Sequence, residues 1–292
     1  MSVFSYSIRT IFRRPIILLV FGIIMLAACL INYYNPIYSV IYGFGGMGIS
    51  EMLNSVVPFL NLVTGLIDTP LKLIEILIAG AAIITVLSLL IAIGFAGIFN
   101  VIKNIIEGKP KHAGEFSEGL KKYYSRMFSI TFRVLLMAVL LFMFLMVVCV
   151  PASILTRAYL TTRPDLMFLA VIVDIITVFT LFFAVMFFCI YILFWYPAAV
   201  TGDRKWFSLG KRTADAAFWN VLGKVFLSGI VFSVYQLVLL YADNHLTAVG
   251  TSALSILLLL VTWAVNTLFV SFLATYIFTT FKSIQMKSQN SI

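Results

Sequence analysis

The stretch FSITFRVLLMAVLLFMFLMVVCV, Phe128 to Val150, decides the fold class because Arg133 is its one charged residue. A helix needs about 20 mostly apolar residues to cross the hydrocarbon core of a bilayer. Five further runs have this character: Pro15–Tyr34, Leu71–Val101, Met167–Val200, Leu222–Tyr241 and Thr251–Phe281. The whole chain is 62% hydrophobic and 11% charged, whereas soluble domains are about 45–50% apolar and about 25% charged. The sequence therefore predicts an all-α integral membrane protein with six transmembrane helices in one membrane domain, residues 1–292.

The distribution of Lys and Arg predicts the orientation of these helices. Of the 20 basic residues, 17 precede the first run or follow the second, fourth and sixth runs, and only Lys72, Arg157 and Arg163 fall on the other side. Basic residues concentrate on the cytoplasmic side of membrane proteins. We therefore expect a multi-pass protein of the prokaryotic cytoplasmic membrane, with both termini cytoplasmic and a cytoplasmic tail at residues 282–292. The formal charge of +9 then indicates contact with anionic lipid rather than nucleic acid.

A short pattern recurs before the outward-going runs. The sequence FSLGKR at 207–212 resembles FSEGLKK at 116–122 and, more weakly, FSYSIR at 4–9. Each copy carries apolar residues on one helical face and basic residues on the other, which is typical of a helix in the headgroup plane. The pattern predicts three pseudo-repeated units, about 1–101, 102–200 and 201–281, each an interfacial amphipathic helix followed by a transmembrane hairpin. The alternative is a chance match between basic amphipathic loops.

The basic faces of the second and third copies are the candidate interaction surface. We expect their side chains to contact anionic headgroups or an acidic protein partner, through Lys121, Lys122, Arg126, Lys211 and Arg212.

The third copy lies within a segment that carries a family resemblance. Pro197-Ala198-Ala199-Val200 is followed by Gly202-Asp203, by Phe207–Thr213 and by Ala217–Gly223. This order resembles bacterial and archaeal multi-span families related to the membrane domain of glycerophosphodiester phosphodiesterases and to YciC-like inner-membrane proteins. The chain departs from that pattern in having Thr213 where Ser is usual and Asp203 where Glu is frequent. The resemblance implies a membrane module rather than an enzyme, since the phosphodiesterase activity of those proteins lies in a separate soluble domain.

Few polar groups lie inside the predicted helices, and each has two interpretations. Ionisable residues within a membrane are costly and are therefore functional candidates. Asp174 and Glu75 are such carboxylates; Glu75 lies three residues after Lys72, so these two can pair on one helix face. In the first interpretation, Gln236 and Asn266 line a polar path with Asp174, as in a small transporter. In the second, Gln236, Asn266 and Asn100 form hydrogen bonds that bridge neighbouring helices.

The sequence offers little support for catalysis. The three cysteines, Cys29, Cys149 and Cys189, lie in apolar runs without metal-binding spacing, and His112 and His245 fall in loops on opposite sides. Nucleotide-loop, hydrolase-elbow and zinc-protease motifs are absent from the sequence. We therefore expect no catalytic residue, cofactor or metal, and a membrane-embedded enzyme is the third hypothesis after a scaffold and a transporter.

Two further features leave alternatives open. Leu26-Ala27-Ala28-Cys29 resembles a lipobox, and cleavage there would leave five membrane helices with a lipidated Cys29. The outer segment between the first two runs contains a glycine-rich breaker at 43–48, and Ser50 then begins a pattern that predicts a surface helix. Short outer connections are expected at 151–166 and around Asp243 to His245.

Overall fold

A computed structural model describes residues 3–34, 70–201, 205–249 and 252–289. These residues form seven α-helices and one 3-10 turn, Pro164–Leu166, and contain no strand. The helices are α1 (Val3–Arg13), α2 (Pro15–Tyr34), α3 (Pro70–Ile106), α4 (Glu115–Thr161), α5 (Met167–Thr201), α6 (Trp206–Val249) and α7 (Ser252–Gln289). The prediction of an all-α protein is therefore confirmed. The glycine-rich breaker and the surface helix expected after Ser50 lie outside the described residues.

The long helices have the composition of membrane spans. Among the described residues, five stretches are long and apolar enough to cross a bilayer, namely Leu77–Ile106, Glu115–Leu160, Pro164–Thr201, Trp206–Leu239 and Ile256–Met286. Their apolar side chains are widely exposed; Phe168, for example, is 79% exposed and Leu227 is 63% exposed. Such a surface is costly in water but not in lipid. The chain is a multi-pass, membrane-type protein. The number of crossings rises to six if α1 and α2, which are separated by a sharp bend, are counted as one span.

Proline sets the geometry of the first two helices. Pro15 lacks an amide hydrogen and disfavours helical geometry at Arg14, so α1 ends at Arg13 and Pro15 begins α2. The segments 5–13 and 15–29 meet at 89°. In the second and third predicted units, by contrast, the basic segment and the following apolar run belong to one helix, α4 or α6. The 47 residues of α4 correspond to about 70 Å of helix, far more than a bilayer core.

Two predicted outer connections are helical instead. Pro151 lies inside α4, which continues to Thr161, and residues 243–245 lie inside α6. A proline removes one backbone hydrogen bond, but leaving the helix in apolar surroundings would expose many more polar groups, so the helix continues. The loop that separates α3 from α4 contains Gly108 and Gly114. Their φ angles, 74° and 96°, are positive, and glycine adopts such angles more readily than other residues.

The structure divides into two compact units. The first comprises Met1–Asn35, Ala92–Met127 and Ile190–Ile292, and the second comprises Pro36–Ile91 and Phe128–Cys189. In the first unit, α7 packs against α1, α2 and α6. Its buried core joins α5, α6 and α7 through Ile190, Phe194, Ala198, Ala214, Phe218, Val221 and Phe281.

The helices that end at the same side of the first unit meet through aromatic rings. The ring of Phe99 in α3 lies 5.5 Å from that of Tyr196 in α5 and 4.9 Å from that of Phe278 in α7. We call Phe99, Tyr196 and Phe278 the aromatic cluster. It lies within a few turns of the C-terminal ends of α3, α5 and α7, so the three helices pack tightly there. We call this side of the unit, formed by α1, the loop 107–114 and the starts of α4 and α6, the basic end.

Candidate functional surface at the basic end

A buried ion pair joins the corner between α1 and α2 to the start of α4. The Nη2 atom of Arg14 lies 3.2 Å from Oε1 of Glu115, and the two side chains are only 10% and 6% exposed. The backbone N–H of His112 donates to the same carboxylate oxygen, at 3.1 Å, and Arg14 donates to the carbonyl of Lys109, at 3.4 Å. Because both charges are withdrawn from water, each depends on the other.

Asn100 fixes the backbone of this site. Its Nδ2 group donates to the carbonyl of Glu115 at 2.8 Å and so links α3 to the first turn of α4. His112, which we expected on the surface, is half exposed and lies 3.2 Å from Oε2 of Glu118. In the adjoining loop the hydrogen bond to Glu107 raises the pKa of Lys109. The loop between α3 and α4 is therefore held by charge as well as by its backbone.

Basic side chains also cap the ends of the converging helices. Lys103 in α3 donates to the carbonyl of Val200 at 2.9 Å, and Lys282 in α7 donates to the carbonyl of Ile106 at 2.8 Å. Arg126 in α4 donates to the carbonyl of Ala199 at 3.3 Å. The last four carbonyls of a helix have no partner within it and carry partial negative charge, so cations stabilise them. These caps tie α7 to α3, and both α3 and α4 to α5.

The five predicted lipid or partner contacts separate into two groups. Lys121, Lys122, Lys211 and Arg212 are exposed on the starts of α4 and α6. Lys122 also lies over the ring of Tyr123, with its Nζ atom 5.5 Å from the centroid. Arg126 instead is partly buried and directs its guanidinium towards the end of α5.

The repeated pattern has a common packing role in its second and third copies. Gly119 lies so close to α3 that a Cβ atom there would be 2.5 Å from the Ala96 carbonyl oxygen and 3.1 Å from the Cα atom of Gly97. A Cβ atom on Gly210 would be 3.2 Å from the Phe194 carbonyl oxygen and 3.3 Å from Cα of Trp195. In both copies, the glycine thus meets the carbonyl of one residue and the Cα of the next on the preceding helix.

In the second and third copies, the phenylalanine also contacts the preceding helix near the position that the glycine approaches. The Phe116 ring covers Gly97 so closely that a Cβ atom on Gly97 would collide with it. The Phe207 ring lies 4.5 Å from that of Trp195. The residue of the first copy that aligns with the two glycines is Ser7, which is completely buried on α1, a helix that packs against α7.

The predicted intramembrane polar residues belong to different compact units: Gln236 and Asn266 to the first, Asp174 and Glu75 to the second. The Nε2 group of Gln236 donates to Oδ1 of Asn266 at 2.7 Å, and Nδ2 of Asn266 lies 4.0 Å from Sγ of Cys29. These amides therefore bridge α6, α7 and α2, as the second interpretation expects. In the other compact unit, the Thr156 hydroxyl lies 3.0 Å and 2.9 Å from the two carboxylate oxygens of Asp174. Glu75 is exposed on α3.

Within the described residues, no group of three His, Cys, Asp or Glu side chains is placed to hold a metal ion. Comparison with protein-family models, with curated proteins and with solved structures gave no match. The family resemblance of residues 197–223 therefore stays a prediction.

Sequence reasoning missed the ion pair between Arg14 and Glu115. Arg14 contributed only to the predicted orientation, and Glu115 comes directly after a segment rich in charge. A usable signal was the position of Glu115 at the start of a helix, where an acidic side chain is favourable, but its partner is about 100 residues away in the chain.

Proposed function

We propose that this chain is a non-catalytic module of the prokaryotic cytoplasmic membrane, acting as a scaffold, a lipid-associated module or a subunit of a larger complex. The observation that carries this proposal is the closure of the basic end, where α3, α5 and α7 meet at the aromatic cluster. Lys103 and Lys282 donate hydrogen bonds to carbonyls at the C-terminal ends of α5 and α3, respectively. A tightly packed interior at this end favours a scaffold over a protein that conducts a solute along the axis between these helices.

The packing of the repeated pattern supports three related units with six membrane crossings. Its second and third copies dock on the helix that precedes them in the chain, through Gly119 and Gly210. The first copy, on α1, packs on α7 instead. Under this proposal α7 supports the first copy in the way that α3 and α5 support the second and third copies.

The basic end faces the cytoplasm in this proposal, because 17 of the 20 Lys and Arg residues belong to that side of the predicted topology. The exposed Lys121, Lys122, Lys211 and Arg212 then lie where anionic headgroups or an acidic protein partner can reach them. Arg126 has a structural part in this arrangement, because it caps α5.

A small transporter is the second candidate, and Asp174 is the observation that favours it. The Thr156 hydroxyl has one hydrogen and can donate it to only one of the two carboxylate oxygens at a time. The carboxylate of Asp174 can therefore accept further hydrogen bonds, although it lies within an apolar helix. Gln236 and Asn266 support this candidate less, because their amides bind each other.

Thiol labelling in proteoliposomes distinguishes the two candidates. In a variant whose three native cysteines are replaced by alanine, Phe99→Cys and Lys111→Cys would each be treated with a membrane-impermeant thiol reagent. We expect rapid labelling of Lys111→Cys, which is in the exposed loop, and at least tenfold slower labelling of Phe99→Cys. Equal labelling rates would mean that water reaches the aromatic cluster, and the scaffold proposal would give way to the transporter.

Purification with native lipids followed by mass spectrometry tests the second part of the proposal. A protein that co-purifies at fixed stoichiometry would identify the larger complex, and retention of anionic lipids alone would favour the lipid-associated module. Loss of both anionic lipid and protein partners would contradict an interaction surface at the basic end.

A further inference from the structure

The exposed face of α1 combines apolar and basic edges. α1 turns Ser7, Thr10 and Ile11 inward, where all three are buried. At 3.6 residues per turn, Ile8 and Phe12 lie on one edge of the opposite face and Arg9 and Arg13 on the other edge, and all four are exposed. Phe12 is 67% exposed, as are many apolar side chains on the membrane-type helices.

The angle between α1 and α2 allows the exposed face of α1 to lie against the membrane surface. Because segments 5–13 and 15–29 meet at 89°, α1 lies along the membrane plane when α2 crosses the bilayer. The exposed apolar side chains continue from Ile8 and Phe12 onto α2 at Ile16 and Leu19. One apolar surface therefore runs round the corner, as expected of a helix embedded at the boundary between headgroups and acyl chains.

The charges of Arg9 and Arg13 have no acidic partner among the described residues. The first acidic residue of the chain is Glu51, so no acidic side chain accompanies Arg9 and Arg13 in the sequence before it. Among the ion pairs of the described residues, Arg14 has Glu115 as its partner, whereas Arg9 and Arg13 take part in none. Two exposed guanidinium groups one helical turn apart match the phosphate of a lipid headgroup.

We infer that α1 binds an anionic phospholipid, with the phosphate held between Arg9 and Arg13 and the acyl chains against Ile8 and Phe12. This inference rests on the membrane placement in the proposed function, and it assigns lipid to a surface other than Lys121, Lys122, Lys211 and Arg212. α1 alone of the three copies is a separate helix, because only Pro15 interrupts the helix before the apolar run.

The test measures thermal stability of the full-length protein in neutral detergent, with added phosphatidylglycerol or phosphatidylcholine. We expect phosphatidylglycerol to raise the Tm of the wild type more than phosphatidylcholine does. Arg9→Gln/Arg13→Gln should lose at least half of that difference, and Arg9→Lys/Arg13→Lys should retain more of it. The matched control Lys111→Gln/Lys205→Gln removes two exposed charges outside α1 and should keep the full difference.

A fourth variant separates failure of this inference from failure of the proposed lipid surface. If Lys121→Gln/Lys122→Gln/Lys211→Gln/Arg212→Gln loses the difference and Arg9→Gln/Arg13→Gln keeps it, the inference about α1 is overturned and the proposed surface stands. If neither variant changes it, both are overturned. An equal rise in Tm with inorganic phosphate would also contradict a lipid ligand. If Arg9→Gln/Arg13→Gln fails to fold, native mass spectrometry of phosphatidylglycerol retained by Phe12→Ser decides, with reduced retention expected and unchanged retention contradicting the inference.

Discussion

The junction between α3 and α4 and the junction between α5 and α6 use the same pattern with different surroundings. In both, a phenylalanine and a glycine pack on the preceding helix. At the first junction, the adjacent site contains the buried pair of Arg14 and Glu115. At the second, aromatic rings surround the contact, with Trp206 5.7 Å from Phe207. The comparison indicates that close approach of the backbones is the common requirement, while the surrounding chemistry is free to differ.

The largest expected effect is specific to the first junction. Glu115→Gln leaves Arg14 as an unpaired buried charge, which should destabilise the protein by about 3–5 kcal/mol. The double variant Arg14→Met/Glu115→Gln removes both charges and should recover much of that loss. Thermal unfolding in detergent measures both, with Asp165→Asn as the exposed control in the 3-10 turn Pro164–Leu166. Equal stability of Glu115→Gln and wild type would show that the pair is not buried as described.

The next effect compares the two glycines directly. Gly119→Ala places a methyl group 2.5 Å from a backbone oxygen, so overpacking should cost about 1–3 kcal/mol. Gly210→Ala meets atoms at 3.0–3.3 Å, and the gain of about 1 kcal/mol in helix propensity should offset most of the strain.

Gly223→Ala is the control for both glycines, because no atom lies within 4 Å of its added Cβ. It should leave stability unchanged or raise it slightly. If Gly119→Ala unfolds at the same temperature as Gly223→Ala, the close approach of α4 to α3 is wrong.

A smaller effect concerns the caps at the ends of these helices. Lys282→Met removes the hydrogen bond to Ile106 at the start of the first junction, which should cost about 1 kcal/mol. Lys224→Met, an exposed lysine on α6, should change the unfolding temperature little. A loss in Lys224→Met as large as that in Lys282→Met would indicate a general effect of charge rather than capping.

The sequence predicted helix positions well because the apolar runs dictate them. Pro15–Tyr34 was predicted with the bounds of α2, and Met167–Val200 differs from α5 by one residue. Membrane spans impose a length and a composition that local sequence displays directly. The continuation of α4 through Pro151 was not predicted, since proline usually ends helices in water.

The candidate surface was only partly predictable. Exposure of Lys121 and Lys211 follows from the helical period, but the inward direction of Arg126 depends on where the end of α5 lies. In the same way, Arg9 and Arg13 differ from Arg14 only through the corner at Pro15 and the distant Glu115. Long-range partners of this kind are set by packing between helices, which the local pattern does not contain.

The packing of the first compact unit depends most on the contact between α2 and α7. A Cβ atom on Gly22 of α2 would lie 3.7 Å from Cγ2 of Thr267 in α7, and the Trp263 indole donates to the Gly22 carbonyl at 2.7 Å. The Cγ2 atom of Thr267 occupies a position that the Sγ atom of a cysteine can take, so cysteines at positions 22 and 267 are close enough to form a disulfide.

Oxidative cross-linking of Gly22→Cys/Thr267→Cys, with the native cysteines replaced by alanine, is the most direct measurement. We predict an intramolecular disulfide in most molecules, detected by mass shift after cleavage between α2 and α7. None is expected in Gly223→Cys/Thr267→Cys, because a Cβ atom on Gly223 has no atom within 4 Å. Absence of the disulfide in Gly22→Cys/Thr267→Cys would contradict the contact between α2 and α7, and with it the packing on α7 from which the three-unit proposal is argued.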